Sequence, residues 1–124
     1  MTKPLGLVFY ERLMPGSQLA NRLQDLGYRV STVTDLGALN GAVEKEMPMV
    51  IVMDLTSERG DVNAVIRDLR GAEKTQHIPI VAFASKANKK AMDDAVNAGA
   101  KLVAVDEAVL TQLPQLLEQA LEVE

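Results

Sequence analysis

The sequence predicts an α/β fold in which five parallel strands form a doubly wound sheet, with a helix after each strand. Five short apolar segments alternate along the 124 residues with five segments whose apolar residues recur at helical spacing. The third apolar segment, Met49–Met53, has no polar residue, as a central parallel strand buried on both faces requires. Regular alternation of this kind is typical of strands joined by right-handed helical crossovers.

The predicted strands are short and bounded by turn residues. They are Leu5–Tyr10, Tyr28–Val33, Met49–Met53, Ile78–Phe83 and Lys101–Val105. A turn at Pro15-Gly16-Ser17 is predicted after the first strand. The second strand alternates and is rich in β-branched residues, which predicts one exposed face. Pro79 lies near the start of the fourth strand, where a proline is tolerated.

The predicted helices follow each strand in turn. They are Ser17–Leu26, Leu36–Glu46, a helix capped by Asp61 that contains Val62, Val65, Ile66 and Leu69, then Lys89–Ala98 and Thr111–Leu121. Gly27 and Gly99 end the first and fourth helices. Pro114 lies in the first turn of the last helix, where its missing N–H costs nothing.

The composition excludes several classes of protein. The chain is expected to form one domain over residues 1–124, since no linker, repeat or low-complexity segment interrupts it. The absence of cysteine excludes disulfides and thiolate metal sites. A net charge of −4 argues against nucleic-acid binding, and the longest apolar run, Met47–Leu55, is too short to cross a membrane. Without a signal-peptide pattern, the sequence predicts a cytoplasmic protein.

Chemistry in such a fold is expected beyond the carboxyl ends of the strands, near the switch in strand order. The residues there have polar or small side chains and come from four different strand ends. They are Tyr10, Glu11, Asp54, Ala84, Ser85 and Asp106. Elsewhere, His77 is interpreted as an exposed loop residue, while Met47, Met49 and Met53 are expected to fill the core.

Four motifs give the chain a resemblance to a known family over nearly its whole length. They are Gly27-Tyr28-Arg29-Val30, Pro48-Met49-Val50-Ile51-Val52-Met53-Asp54-Leu55, His77-Ile78-Pro79-Ile80-Val81-Ala82 and Asn97-Ala98-Gly99-Ala100. In this order and spacing they resemble the CheY-like receiver domains of response regulators. The resemblance implies the flavodoxin/CheY-like fold and a place in two-component signalling.

The resemblance also implies a site at which Asp54 would be the phospho-acceptor. In that family two acids after the first strand hold Mg²⁺, and these positions fall on Tyr10 and Glu11. The hydroxyl that contacts the phosphoryl group falls on Ala84, with Ser85 adjacent but on the other face of the strand. The lysine position falls on Asp106. The aromatic switch position of the fifth strand falls on Val103.

These departures predict a pocket in which Glu11, Asp54 and Asp106 repel one another with no fixed cation among them. Because Tyr10 replaces one of the two acids, only Glu11 and Asp54 remain as candidate Mg²⁺ ligands. We therefore expect no cofactor. Asp106→Lys would then stabilise the fold. The alternative that Arg12 or Arg59 reaches in as a substitute cation stays open.

The sequence therefore predicts an atypical receiver, or pseudo-receiver, in bacterial signalling: a non-enzymatic protein-interaction module that works without phosphorylation. By resemblance, its partner surface is the face formed by Lys89–Ala98, Lys101–Val105 and Thr111–Leu121, and a homodimer stays open. One alternative is a phosphorylatable receiver that uses Asp54. Another is a small flavodoxin-like cofactor-binding protein, with the Pro15–Ser17 turn holding a phosphate.

Overall fold

The computed structural model describes residues 3–122 and shows one sheet of five parallel strands. The strands are β1 (Leu5–Phe9), β2 (Arg29–Val33), β3 (Val50–Asp54), β4 (Ile80–Ala84) and β5 (Leu102–Val105). The helices within these residues are α1 (Leu13–Asp25), α2 (Leu36–Glu46), α3 (Val62–Gly71), α4 (Lys89–Ala98), α5 (Asp106–Thr111) and α6 (Leu113–Ala120).

The strand order is β2-β1-β3-β4-β5, which confirms the predicted doubly wound class. From β1 the chain first crosses to β2 on one side and then to β3 on the other. The switch point therefore lies between the carboxyl ends of β1 and β3. Every residue of β3 and β4 is buried, whereas β2 lies at an edge of the sheet and none of its residues is buried. The prediction of one exposed face for β2 is wrong, because its two exposed residues, Arg29 and Thr32, lie on opposite faces.

Two hydrophobic layers cover the sheet because successive side chains of each strand point to opposite faces. One layer packs α2, α3 and α4 onto the sheet through buried side chains such as Leu39, Ile66 and Ala95. The other packs α1, α5 and α6 through Leu23 and Leu117, among others. None of the helices in residues 3–122 is long and apolar enough to span a membrane.

Local signals place several helix ends as predicted. Asp61 caps α3, since its Oδ1 accepts from the backbone N–H of Asn63 at 3.0 Å and of Ala64 at 3.4 Å. Gly99 follows α4 with φ of 118°, a left-handed conformation that costs glycine little. His77 is exposed, as expected.

The predicted turn at residues 15–17 is wrong, because α1 already includes them. Pro15 and Gly16 are buried in the first part of this helix, and only Met14 has non-helical angles. A Cβ atom on Gly16 would overlap the ring of Tyr10, so the ring covers this glycine at close range.

The predicted final helix, Thr111–Leu121, is present as α6, with Pro114 in its first turn as predicted, and a further helix that was not predicted precedes it. α5 begins at Asp106, and Gln112 interrupts the helix with φ −115° and ψ 22°. Pro114 explains the break: within one continuous helix its ring would clash with the carbonyl of Leu110. Asp106 and Glu107 lie in the first turn of α5, where the positive end of the helix dipole stabilises their negative charges.

Only one of the three methionines near β3 lies in the core. Met53 is fully buried, but Met47 and Met49 are 44% and 51% exposed. Both precede β3, at the amino-terminal edge of the sheet, where no helix of either layer covers them. The core-filling prediction for these two residues is wrong.

Candidate functional site

Three side chains meet beyond the carboxyl ends of β1, β3 and β5. Arg12 lies in the β1–α1 connection, Asp54 is the last residue of β3, and Asp106 is the first residue of α5. Because β1 and β3 are neighbours and β5 ends at the same edge, the parallel sheet brings these residues together across sequence separations of 42 and 94 positions.

The buried carboxylate of Asp54 is bound on both of its oxygens. Arg12 donates from Nε to Oδ2 at 2.8 Å and from Nη2 to Oδ1 at 2.9 Å, a bidentate pair. The backbone N–H of Thr56 donates to Oδ1 as well, at 2.9 Å. The Asp54 side chain has no solvent exposure, so these three donors replace its hydration.

The same guanidinium group also binds Asp106. Nη1 donates to Oδ2 at 3.2 Å, and Nη2 donates to Oδ1 at 3.1 Å. The hydrogen bonds that Arg12 donates to Asp54, and then those to Asp106, raise the pKa of Arg12 above its ordinary value. Arg12 is therefore a permanent cation between two acids, and we call Arg12, Asp54 and Asp106 the arginine clamp.

The expected cluster of three uncompensated acids is wrong. The sequence left Arg12 and Arg59 open as substitute cations, and the structure places Arg12 in that position. Arg59 is exposed and lines a surface depression with Glu11, Asp35 and others. The sequence signal for Arg12 was its place in the loop after β1, two residues beyond Tyr10.

Glu11 takes no part in the clamp. The hydroxyl of Ser57 donates to its Oε2, and the backbone N–H of Glu58 donates to its Oε1 at 3.1 Å. Glu11 thus holds the loop between β3 and α3. Both oxygens of the Glu11 carboxylate thus have hydrogen-bond donors from this loop. The sequence alone did not predict this pairing.

The other predicted site positions have no polar contact with Asp54. The ring of Tyr10 packs against Gly16, and Ala84 is fully buried in β4. Ser85 follows β4, and its Oγ accepts from the backbone N–H of Ala87 at 3.3 Å, so it shapes the turn before α4. Val103 is half-buried and packs against the layer that contains α4.

These residues do not fit the magnesium ion that the fold implies. A hard cation of this kind needs several free oxygen ligands in near-octahedral geometry. Both oxygens of Asp54 are held by Arg12, and Glu11 is held by its own loop. Within the described part of the chain, no group of three or more His, Asp or Glu side chains is arranged to hold a metal ion.

Solved receiver domains superpose on almost the whole chain. One belongs to a sensor histidine kinase of Pseudomonas aeruginosa and has a magnesium ion coordinated in its active site cleft. It matches with a TM-score of 0.86 at 21% identity, covering 97% of this chain and 98% of that one. A candidate response regulator of Chloroflexus aurantiacus matches with a TM-score of 0.89 at 17% identity, covering 97% and 98%.

The BeF3-activated N-terminal receiver domain of RstA from Klebsiella pneumoniae gives a TM-score of 0.84 at 18% identity, covering 96% of this chain and 99% of that one. No protein-family model and no curated protein sequence matches the chain. At these identities the likeness shows that the chain has the CheY-like receiver fold.

Proposed function

We propose that this chain is a pseudo-receiver, a protein-interaction module of two-component signalling whose Asp54 site is held by Arg12 instead of by phosphorylation. The observation that carries the proposal is the bidentate pair between the Arg12 guanidinium and the buried Asp54 carboxylate. An acceptor aspartate attacks a phosphoryl donor with a free carboxylate oxygen. Here both oxygens are hydrogen-bonded and the side chain has no exposed surface.

The charge around Asp54 also disfavours a phosphoryl group. Phosphorylation adds a charge of about −1.5 to −2 and three acceptor oxygens, which require compensating cations and donors. The nearby cation, Arg12, is already shared between Asp54 and Asp106. Ala84 supplies no hydroxyl at the strand-four position, and Asp106 would repel the added charge.

The same reasoning argues against a cofactor-dependent or catalytic role. We infer that the chain has no enzymatic activity and needs no Mg²⁺, because Arg12 supplies the positive charge that a metal ion would otherwise bring to Asp54. We further propose a protein partner on the face formed by Lys89–Ala98, Lys101–Val105 and Thr111–Leu121, which contain α4, β5 and α6. Val96 supports this choice, since it is 58% exposed on α4, and Lys89 and Lys90 begin the same helix.

Treatment with acetyl phosphate and Mg²⁺, followed by intact-mass spectrometry, tests the central claim. We expect no phosphoryl adduct, while a phosphorylatable receiver domain in the same reaction gains one. An adduct that disappears in Asp54→Asn would refute the proposal and establish the alternative, a phosphorylatable receiver using Asp54.

The partner face is tested separately. Proteins retained from an extract of the source cell by the immobilised chain should be the same with and without acetyl phosphate and Mg²⁺. Their retention should be lost in Val96→Glu, which changes an exposed side chain on α4. It should be kept in Arg59→Glu, which changes an exposed side chain in the loop between β3 and α3. Retention that depends on acetyl phosphate would contradict a phosphorylation-independent module.

A further inference from the structure

A groove of about 690 Å³ lies at the amino-terminal edge of the sheet, at the end opposite to Asp54. It runs between the segments that precede β3, β4 and β5, and the end of α6 borders it. Met49, Pro79 and Leu121 give it apolar surface, and Arg70, His77 and Lys101 give it basic groups. The groove is separate from the arginine clamp, and it borders the proposed partner face, with which it shares Lys101 and Leu121.

The sign of charge in this groove is opposite to that of the whole chain. The chain has 17 acidic and 13 basic residues, yet among its described residues the groove is lined by Arg70, Lys101 and one acid, Glu122. Among residues 3–122, neither cation forms a salt bridge with a carboxylate. Arg70 donates to the backbone carbonyl of Gln76, and Lys101 donates to the backbone carbonyl of Glu122 at 3.0 Å. Within residues 3–122, these two positive charges thus have no carboxylate partner.

The apolar surface of the groove is open as well. Met49 is 51% exposed, and its unbranched thioether side chain can adapt to an irregular partner surface. The aliphatic stem of Arg70 lies against Gly99, since a Cβ atom on that glycine would meet Cβ and Cγ of Arg70. This packing covers part of the groove floor and leaves the guanidinium at the rim.

We propose that this groove binds an acidic, apolar segment of a partner protein. Apolar side chains of the segment pack on Met49, and its carboxylates pair with Arg70 and Lys101. Charge complementarity selects this occupant, because each unpartnered cation gains a carboxylate while the apolar floor loses contact with water. The inference goes beyond the proposed function, because it adds a second docking surface away from the Asp54 site.

The probe is a fluorescein-labelled peptide of alternating leucine and glutamate, followed by fluorescence anisotropy with the full chain. A peptide with lysine in place of glutamate is the matched probe. We expect binding of the glutamate peptide alone. The double variant Arg70→Glu with Lys101→Glu should weaken binding of the glutamate peptide by about tenfold or more, because the two new carboxylates repel those of the peptide.

The control is Lys86→Glu with Lys89→Glu, which makes the same change in net charge near α4 on exposed side chains. It should keep the affinity within about twofold. Because Arg70 packs on Gly99, Met49→Glu and Lys101→Glu are tested singly as well, and each should weaken binding without lowering the melting temperature. The proposal is overturned by equal binding of the lysine peptide, by equal weakening in both double variants, or by no binding to the wild-type chain.

Discussion

Arg12 binds Asp54 through two parallel hydrogen bonds of 2.8 and 2.9 Å, and its Nη2 atom is shared with Asp106. One guanidinium therefore neutralises a buried carboxylate and partly neutralises a second one. Only a planar fork of donors can do this, since an ammonium group has no paired N–H geometry. The pair couples the β1–α1 loop to the end of β3 and the start of α5.

Arg12→Ala should destabilise the fold by about 3 kcal/mol. Removing one partner of a buried pair leaves the other charge without compensation, and the partial exposure of Arg12, 29%, places the loss at the lower end of the usual range. Urea denaturation followed by circular dichroism measures it. Arg59→Ala, at an exposed arginine of the neighbouring loop, is the control and should change stability by less than about 0.5 kcal/mol. Equal losses in both variants would contradict the clamp.

A double-mutant cycle isolates the pair itself. Arg12→Ala and Asp54→Ala should each destabilise the protein, and the double variant should lose about 1–3 kcal/mol less than the sum. The reason is that each single change leaves a charge that the other change removes. Strictly additive losses would mean that Arg12 and Asp54 do not interact in solution.

Asp106→Lys should destabilise the protein by about 1 kcal/mol, although the sequence alone predicted the opposite sign. The sequence placed Asp106 among uncompensated acids, but in the structure it accepts two hydrogen bonds from Arg12. A lysine there would face the guanidinium and remove both bonds. Asp106 is 23% exposed, so the loss is smaller than for Arg12. A rise in the urea midpoint would disprove the observed pairing.

Gly16→Ala should destabilise the protein by about 1–3 kcal/mol, although alanine normally favours a helix over glycine. The added methyl group would overlap Tyr10 near its Cβ and Cγ atoms, where the ring cannot simply swing away. Thermal unfolding measures the loss. Gly41→Ala is the matched helical control, because nothing lies within 4 Å of a Cβ there, and it should be neutral or stabilising. Tyr10→Ala should rescue Gly16→Ala in part, because it removes the ring and Cγ but keeps the Cβ atom.

The contribution of Arg12 should not vary with pH between neutrality and pH 10. The folded-state pKa of Arg12 is raised above its unfolded value, which itself lies above pH 10, so its stabilisation is complete over this range and is lost only as pH rises through the folded-state pKa. The difference in urea midpoint between wild type and Arg12→Ala should therefore be the same at pH 7 and pH 10. A difference that shrinks by pH 10 would show that another group titrates in the clamp.

The fold could be predicted from the sequence, because the hydrophobic periodicity, Pro48 and Gly99 indicate local backbone geometry. Neighbouring residues determine that geometry. The sequence also located the edge of the sheet where Asp54 lies. It could not decide which of Arg12 and Arg59 reaches Asp54, or that Glu11 turns to Ser57, because those pairings depend on side-chain direction across distant strands. Pro114 located the start of the last helix, whereas the short helix α5 before it was not predicted.

The clamp also has a consequence for synthesis of the chain on the ribosome. Asp106 follows Arg12 by 94 residues, whereas Asp54 follows it by only 42. A nascent chain therefore exposes Arg12 and Asp54 long before the second acid is made. Until Asp106 is made, the Arg12 guanidinium can bind only Asp54, and β5 is missing from the edge of the sheet beside β4. The clamp therefore closes fully only after Asp106 has been made and can reach Arg12.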